Sequence, residues 1–115
     1  KGLMRKGIDP IRVRLMLPST SPRHMKLGRF RDAERTPNGL ELKMYDKPIF
    51  IVKGKEIILD LCGYWTQSVV RAMREYGEAI GQDIKPSIAK GRFTAQYRGT
   101  IHEADYRNQI HIQTS

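Results

Sequence analysis

A two-residue alternation of hydrophobic and polar positions recurs along the chain, and this is the period of a half-buried β-strand. In IRVRLML (11–17) the apolar face would hold Ile11, Val13, Leu15 and Leu17. The same alternation predicts strands over 40–45, 91–98 and 109–113. Two continuous apolar runs in 48–61 surround Lys53-Gly54-Lys55, and this pattern predicts a tight hairpin near the centre of the sheet.

One stretch of the chain has the period of a helix. Between residues 64 and 81, hydrophobic side chains recur every three or four positions, which places them on one face of an α-helix. The members of this stripe are Trp65, Val69, Met73, Tyr76 and Ile80. We therefore expect one amphipathic helix that packs against the sheet.

Residues 18–39 lack a clear apolar period and contain three prolines. They predict a long basic loop or arm, a kind of segment that usually has a function when it occurs inside a compact domain. A further loop is expected around Pro86. The polar residues 99–108 are expected to connect the last two strands.

The order of these elements predicts an α+β fold in a single domain spanning 1–115. It would be a small, mainly antiparallel sheet or an OB-like barrel, with one amphipathic helix. EIILDLCG, the helix, KGRFTAQYRG and QIHIQ together resemble the second half of a single-strand-binding OB-fold domain. That resemblance implies a barrel in which the helix lies between the third and fourth strands.

The net charge indicates the class of partner. The chain has 21 Lys and Arg against 12 Asp and Glu, and ten of the basic residues but only three of the acidic ones fall in residues 1–36. Such a basic block favours a polyanionic partner, nucleic acid first. An acidic protein surface is the alternative partner, and a merely soluble cationic protein is the third reading.

Two groups of side chains form the predicted nucleic-acid interface. On the outward strand faces, guanidinium groups would bind phosphates and amides would bind base edges; the residues are Arg12, Arg14, Arg92, Gln96 and Arg98. In the arm, basic residues surround one aromatic ring that would stack on a base; they are Arg23, Lys26, Arg29, Phe30, Arg31 and Arg35. Tyr45, on the outward phase of its strand, is a second expected stacking residue.

A small nuclease or toxin-like ribonuclease is an alternative function. His102, Glu103 and His111 lie close in sequence, and a histidine there would act as a general base. Their spacing matches no common metal-ligand motif, so a solvated loop is the simpler interpretation. A structural or adaptor protein of a virion or ribonucleoprotein, with the arm docked on a partner, is a further alternative.

Several classes of protein are disfavoured. Cys62 is the only cysteine, so an intrachain disulfide and a cysteine-based zinc site are excluded, and its apolar setting indicates an inert thiol. No phosphate-binding glycine loop is present, and no cofactor or metal is expected.

The hydropathy pattern bears on location and assembly. No apolar run approaches the roughly 20 residues that a membrane helix needs, and no secretory signal is recognised. These features predict an intracellular protein, cytoplasmic or nucleoid-associated, with no membrane contact. Exposed edges on so small a sheet favour pairing with a second copy. A non-catalytic, single-strand-binding nucleic-acid domain is the function that the sequence favours.

Overall fold

The computed structural model describes residues 8, 10–18, 23–37 and 39–114. Within them the chain forms mainly antiparallel sheet with two helices. In chain order the elements are α1 (Pro10–Leu15), β1 (His24–Gly28), β2 (Arg31–Thr36), β3 (Gly39–Met44), β4 (Lys47–Lys53), β5 (Glu56–Asp60), α2 (Gln67–Ala79), β6 (Ile84–Ala89), β7 (Arg92–Tyr97), β8 (Thr100–Glu103) and β9 (Gln109–Gln113).

The strands form two sheets. The larger has the order β1-β2-β3-β4-β5-β9 and the smaller the order β6-β7-β8, with every pairing antiparallel. The expected mainly antiparallel arrangement is therefore confirmed. Both sheets are open, because no pairing among the described strands closes either of them, and the OB-like barrel stays a prediction.

The core lies between the helices and the two sheets. Helix α2 contacts β3, β4 and β6, and its buried face continues into one hydrophobic cluster shared with both sheets. Phe50 of β4 and Tyr76 of α2 are fully buried, and their rings meet edge to face with centroids 6.0 Å apart. Helix α1 packs against α2 as well, and the polar face of α2, which includes Arg71 and Glu78, is exposed to solvent.

The predicted amphipathic helix is confirmed, in a shorter form. It begins after Thr66, whose hydroxyl accepts a hydrogen bond from the Val69 amide at 3.3 Å and so caps the first turn. Val69, Met73 and Tyr76 are buried as expected. Trp65 precedes the helix and is exposed, so it is not part of the stripe.

The strand predicted over residues 11–17 is wrong, because this segment contains α1. The buried residues are Val13 and Met16, three positions apart on one helical face, whereas Ile11 and Leu15 are exposed. Pro10 begins the helix, at a position where its missing N–H costs no hydrogen bond. A short alternating run fits both periods, and only the packing distinguishes them.

The long arm predicted over residues 18–39 is also wrong where the structure describes it. Residues 24–36 form the β1–β2 hairpin, which buries Leu27 and Ala33 in the core and pairs several of its polar side chains with neighbours. His24 Nε2 lies 2.8 Å from Asp32 Oδ2, and Lys43 Nζ on β3 lies 2.6 Å from Glu34 Oε1. The Lys43 ammonium lowers the pKa of Glu34 below its ordinary value. Residues 19–22 and 38 of the predicted arm lie outside the described residues.

Two further predicted loops contain strands of the smaller sheet. Pro86 lies within β6, an edge strand, where the absence of a proline N–H is tolerated. Strand β8 occupies part of the predicted polar connection and has no regular burial alternation, because it forms the other edge. Strand β6 does alternate in burial, with Ile84, Pro86 and Ile88 on the more buried side, and the proline hides this alternation in the sequence.

The remaining strand predictions are confirmed. Strands β4 and β5 form the expected hairpin, and Gly54 in its turn has a φ of +63°. Phe93, Ala95 and Tyr97 of β7 are buried, as are Ile110 and Ile112 of β9. In the part of the chain that the structure describes, neither helix has the length and apolar character that crossing a bilayer requires.

Candidate nucleic-acid interface

Two hairpin turns place aromatic side chains next to each other at one end of the larger sheet. Arg29-Phe30 connects β1 to β2, and Tyr45-Asp46 connects β3 to β4. Because β2 and β3 are antiparallel neighbours, with Arg31 opposite Met44, both turns lie at the same end. The Tyr45 N–H donates a hydrogen bond to the Phe30 carbonyl oxygen at 2.9 Å and joins the turns directly.

The backbone at both aromatic positions is left-handed. Phe30 has a φ of 60°, Tyr45 of 54° and Asp46 of 67°. Asparagine, aspartate and glycine are the residues that usually occupy such turn positions, and a bulky side chain there is an outlier. The conformation of these turns therefore does not itself require aromatic side chains.

The two rings begin an aromatic row on the surface. The centroids of Phe30 and Tyr45 are 5.4 Å apart, and those of Tyr45 and Tyr64 are 5.7 Å apart, with the planes tilted in both pairs. Phe30 is 52% exposed and Tyr45 41% exposed. The Arg29 guanidinium lies 5.1 Å from the centre of the Phe30 ring. The row thus offers apolar ring surface beside a positive charge.

This row borders a groove of about 660 Å³ between the hairpin turns and the two helices. That volume is within the range of sites that hold small organic ligands. Four arginines and two glutamates line it, together with the aromatic pair. These lining residues are Arg14, Arg29, Arg31, Arg71, Glu75, Glu78, Phe30 and Tyr45.

Arg31 carries a buried positive charge in the lining of the groove. The residue is only 7% exposed, and its Nη1 donates a hydrogen bond to Glu75 Oε1 at 3.0 Å. Its guanidinium also lies 5.7 Å from the centre of the Tyr76 ring. A buried guanidinium needs such partners. Glu75 and Tyr76 therefore fix the position of this charge.

The other three groove arginines differ in their hydrogen bonds and ion pairs with the rest of the protein. Arg14 Nε donates to the carbonyl oxygen of Ala79 at 2.9 Å and ties α1 to the last turn of α2. Arg29 and Arg71 are exposed and form no ion pair with any described residue. These two guanidinium groups are available to an anion without the loss of an internal salt bridge.

Four of the other predicted contact residues lie outside the groove. Arg12 donates to the Lys26 carbonyl oxygen at 2.9 Å and attaches α1 to β1. Arg35 donates to the carbonyl oxygens of Leu17 at 3.3 Å and Pro18 at 2.9 Å, and also to that of Met16. The structure thus uses Arg12 and Arg35 to hold α1 in place. Arg23 and Lys26 are exposed on the edge of the larger sheet.

The predicted basic face of β7 belongs to the smaller sheet. Arg92 forms an exposed ion pair with Glu103 at 2.6 Å, and Arg98 in the following turn lies 5.1 Å from the centre of the Tyr97 ring. Gln96 is exposed on the same face. None of these three residues lines the groove. The predicted interface is therefore divided between separate parts of the surface.

The three residues of the alternative catalytic group are separated. His102 lies opposite buried Ala95, whereas Glu103 points to the other face of β8 and binds Arg92. His111 Nδ1 lies 2.9 Å from Glu56, and its Nε2 lies 3.6 Å from Asp105. Hydrogen bonding from the Gln109 N–H lowers the pKa of Asp105. Within the described residues, no cluster of histidine, cysteine and carboxylates could hold a metal ion.

Cys62 is half-buried next to the core. Its thiol lies 3.5 Å from the Pro48 carbonyl oxygen. Burial, assisted by the nearby Asp60 carboxylate, raises the pKa of the thiol to about 11. A thiol with so high a pKa is a poor nucleophile at neutral pH, which agrees with an inert role.

The sequence interpretation missed the contribution of α2 to the groove. Ser68, Arg71, Glu75 and Glu78 recur at spacings of three and four, so they share one helical face. The sequence predicts this polar stripe as the solvent-exposed face of the helix. Its role as a groove wall depends on the hairpin turns that lie opposite, and only the tertiary packing of α2 against the sheet brings the helix to them.

Comparison with known proteins adds no relative. No protein-family model, no curated protein and no solved structure matches the chain.

The buried hydroxyl of Tyr76 allows a test of the packing between α2 and β3. The Tyr76 hydroxyl donates to the Lys43 carbonyl oxygen, and burial raises its pKa above the ordinary value. Tyr76→Phe leaves that oxygen without this partner and is expected to lower the free energy of unfolding by about 1 kcal/mol. Urea denaturation measures the change.

Tyr64→Phe is the matched control for this substitution. The Tyr64 hydroxyl makes no hydrogen bond with any described residue, so this variant is expected to match the wild-type stability. Equal stability of the Tyr76→Phe and Tyr64→Phe variants would contradict the buried hydrogen bond.

Proposed function

We propose that the groove binds single-stranded nucleic acid without cleaving it. The observation that carries the proposal is the juxtaposition of two exposed, contacting aromatic rings with four arginines around one cavity. Bases would stack on Phe30 and Tyr45, and the guanidinium groups would bind the phosphates. Such a combination of ring surface and positive charge is typical of proteins that bind single strands.

The distribution of charge supports this division of roles. Arg29 lies against the aromatic row, and Arg71 lies on α2 across the groove. A strand that follows the groove would therefore meet guanidinium groups from both walls. Each phosphate neutralised releases counterions, so the affinity would fall steeply as salt is added.

Single strands suit this surface better than a duplex does. Rings at hairpin tips can stack only on bases that are unpaired and turned outward, and the bases of a duplex are already stacked. Helix α1 has only six residues, and the polar face of α2 carries Glu75 and Glu78 into the groove. Neither helix has the character of a major-groove recognition helix. The same features suit a single strand of either DNA or RNA.

Fluorescence anisotropy with a labelled single-stranded oligonucleotide tests the proposal. At two salt concentrations, we expect the wild-type protein to bind the single strand more tightly than the matching duplex. The double variant Arg29→Gln/Arg71→Gln is expected to weaken binding and to reduce the salt slope by up to about 1.4, because each single-strand phosphate contact contributes roughly 0.7.

Lys85→Gln/Lys90→Gln is the matched control for this experiment. It removes the same charge from the β6–β7 hairpin, and neither lysine lines the groove. We expect it to keep most of the affinity and salt dependence. An equal loss in both double variants, or no binding by the wild type, would overturn the proposed site.

Gel electrophoresis of the titrated oligonucleotide addresses the two alternative functions. An intact strand is expected after binding. Cleavage that is lost in His102→Ala or His111→Ala would favour the ribonuclease alternative. Absence of binding to any oligonucleotide would favour the adaptor alternative, in which the basic surface docks on a partner protein.

A further inference from the structure

We propose that Glu75 gives the groove a preference for cytosine over thymine or uracil. The inference rests on the proposed function, because it concerns the same groove. It goes further by assigning the base contact to one carboxylate. Glu75 would accept a hydrogen bond from the exocyclic amino group of a base that stacks on the aromatic pair.

The buried guanidinium of Arg31 fixes the position of the Glu75 carboxylate. Its Oε1 accepts the hydrogen bond from buried Arg31 at 3.0 Å, and Oε2 has no hydrogen-bond partner among the described residues. The side chain is 31% exposed and lines the groove. An acceptor that is already ordered loses little conformational freedom when it binds a ligand.

The chemistry of this acceptor distinguishes the two kinds of pyrimidine. Cytosine carries an amino group at the 4-position, which donates to a carboxylate, whereas thymine and uracil carry a carbonyl oxygen there. A carboxylate beside that carbonyl oxygen would face another electron-rich atom. The rings are otherwise similar in size, so stacking on Phe30 and Tyr45 would favour neither strongly.

The second glutamate of the groove, Glu78, binds an exposed arginine, whereas Glu75 binds a buried one. Glu78 lies 3.5 Å from Arg74 in an ion pair whose two side chains are largely exposed. No buried group fixes its carboxylate, so it contributes charge rather than a fixed acceptor. Glu78 therefore supplies a matched comparison on the same helix.

Competition between two short oligonucleotides tests the inference. Oligo-dC and oligo-dT of equal length, measured at the same salt and at pH 7.5, are expected to differ by about fivefold in affinity in favour of oligo-dC. In Glu75→Gln the amide oxygen keeps the bond to Arg31 and the amide N–H₂ becomes a donor. This variant is expected to lose the preference or reverse it towards oligo-dT.

Glu78→Gln removes the same charge and is expected to keep the preference of the wild type for oligo-dC. A wild-type protein that binds both oligonucleotides equally would overturn the inference and leave the proposed function standing. An equal change of preference in both glutamine variants would also overturn it. Failure of the wild type to bind either oligonucleotide would overturn the proposed function itself. The wild-type comparison needs no variant, so a folding defect in Glu75→Gln would not prevent the test.

Discussion

Removing both rings of the aromatic pair is expected to abolish most of the affinity for single strands. Stacking contributes about 1–3 kcal/mol per base, so Phe30→Ala or Tyr45→Ala alone should weaken binding by roughly 5- to 150-fold. The double variant should approach the affinity that the arginines provide alone. Anisotropy titration with a labelled single strand measures the loss.

The same double variant should remain folded. Both side chains are about half exposed and lie in turns, so truncation leaves the hydrophobic cluster intact. Thermal denaturation checks this point before binding is measured. The backbone stays left-handed at both positions, where alanine is strained as well as the native aromatic residue.

Tyr106→Ala is the control for the loss of aromatic surface. Tyr106 is 86% exposed and stands beside Arg107, with the guanidinium 5.3 Å from the ring centre, so it is also an aromatic ring paired with a cation. It does not line the groove. We expect this variant to bind as the wild type does. A double variant of Phe30 and Tyr45 that binds equally well would remove the basis of the proposed site.

Replacing Arg31 by methionine is expected to lower the free energy of unfolding by about 3 kcal/mol, the lower end of the cost of breaking a buried ion pair. The substitution leaves Glu75 without its partner, and it removes the charge above the Tyr76 ring. The lower end is appropriate because Glu75 keeps about a third of its surface in water. Urea denaturation followed by circular dichroism measures the difference.

Two further variants separate the ion pair from simple packing. Arg31→Met/Glu75→Leu removes both charges and is expected to regain part of the lost stability, because no unpaired carboxylate remains. Arg74→Met breaks an exposed pair with Glu78 and should cost less than about 1 kcal/mol. Equal stabilities of the Arg31→Met and Arg74→Met variants would show that the Arg31–Glu75 pair is not buried in solution.

The site itself was only partly predictable from the chain. The sequence predicts Phe30 and Tyr45 as stacking residues, and the structure places their rings in contact. The location predicted for Tyr45 is wrong. Tyr45 does not lie on an outward strand face. It lies in a two-residue turn, next to the turn that holds Phe30. The two turns lie next to each other because β2 pairs with β3.

The basic block shows a different limit of sequence reasoning. A count of charges cannot tell an arginine that faces solvent from one that binds carbonyl oxygens. Arg12, Arg14 and Arg35 lie in the most basic third of the chain, and each donates hydrogen bonds to main-chain oxygens that hold α1 in place. Arg29 and Arg71 are the groove arginines that donate no hydrogen bond to another described residue, although they are 42 positions apart in sequence.

The sequence by itself determined the elements whose burial has a regular period, namely the stripe of α2, the β4–β5 hairpin and the inward faces of β3, β7 and β9. A strand or helix with one buried face must repeat apolar residues at its own period, so the pattern is local. Only the tertiary structure decided the rest. It made α1 a helix because Val13 and Met16 meet the same core. It made the predicted arm a hairpin because β1 pairs with β2 and places Leu27 and Ala33 in that core. It also formed the groove, because the β2–β3 pairing places two turns side by side and the packing of α2 on the sheet places one helix face opposite them. A periodic pattern along the chain does not record that arrangement.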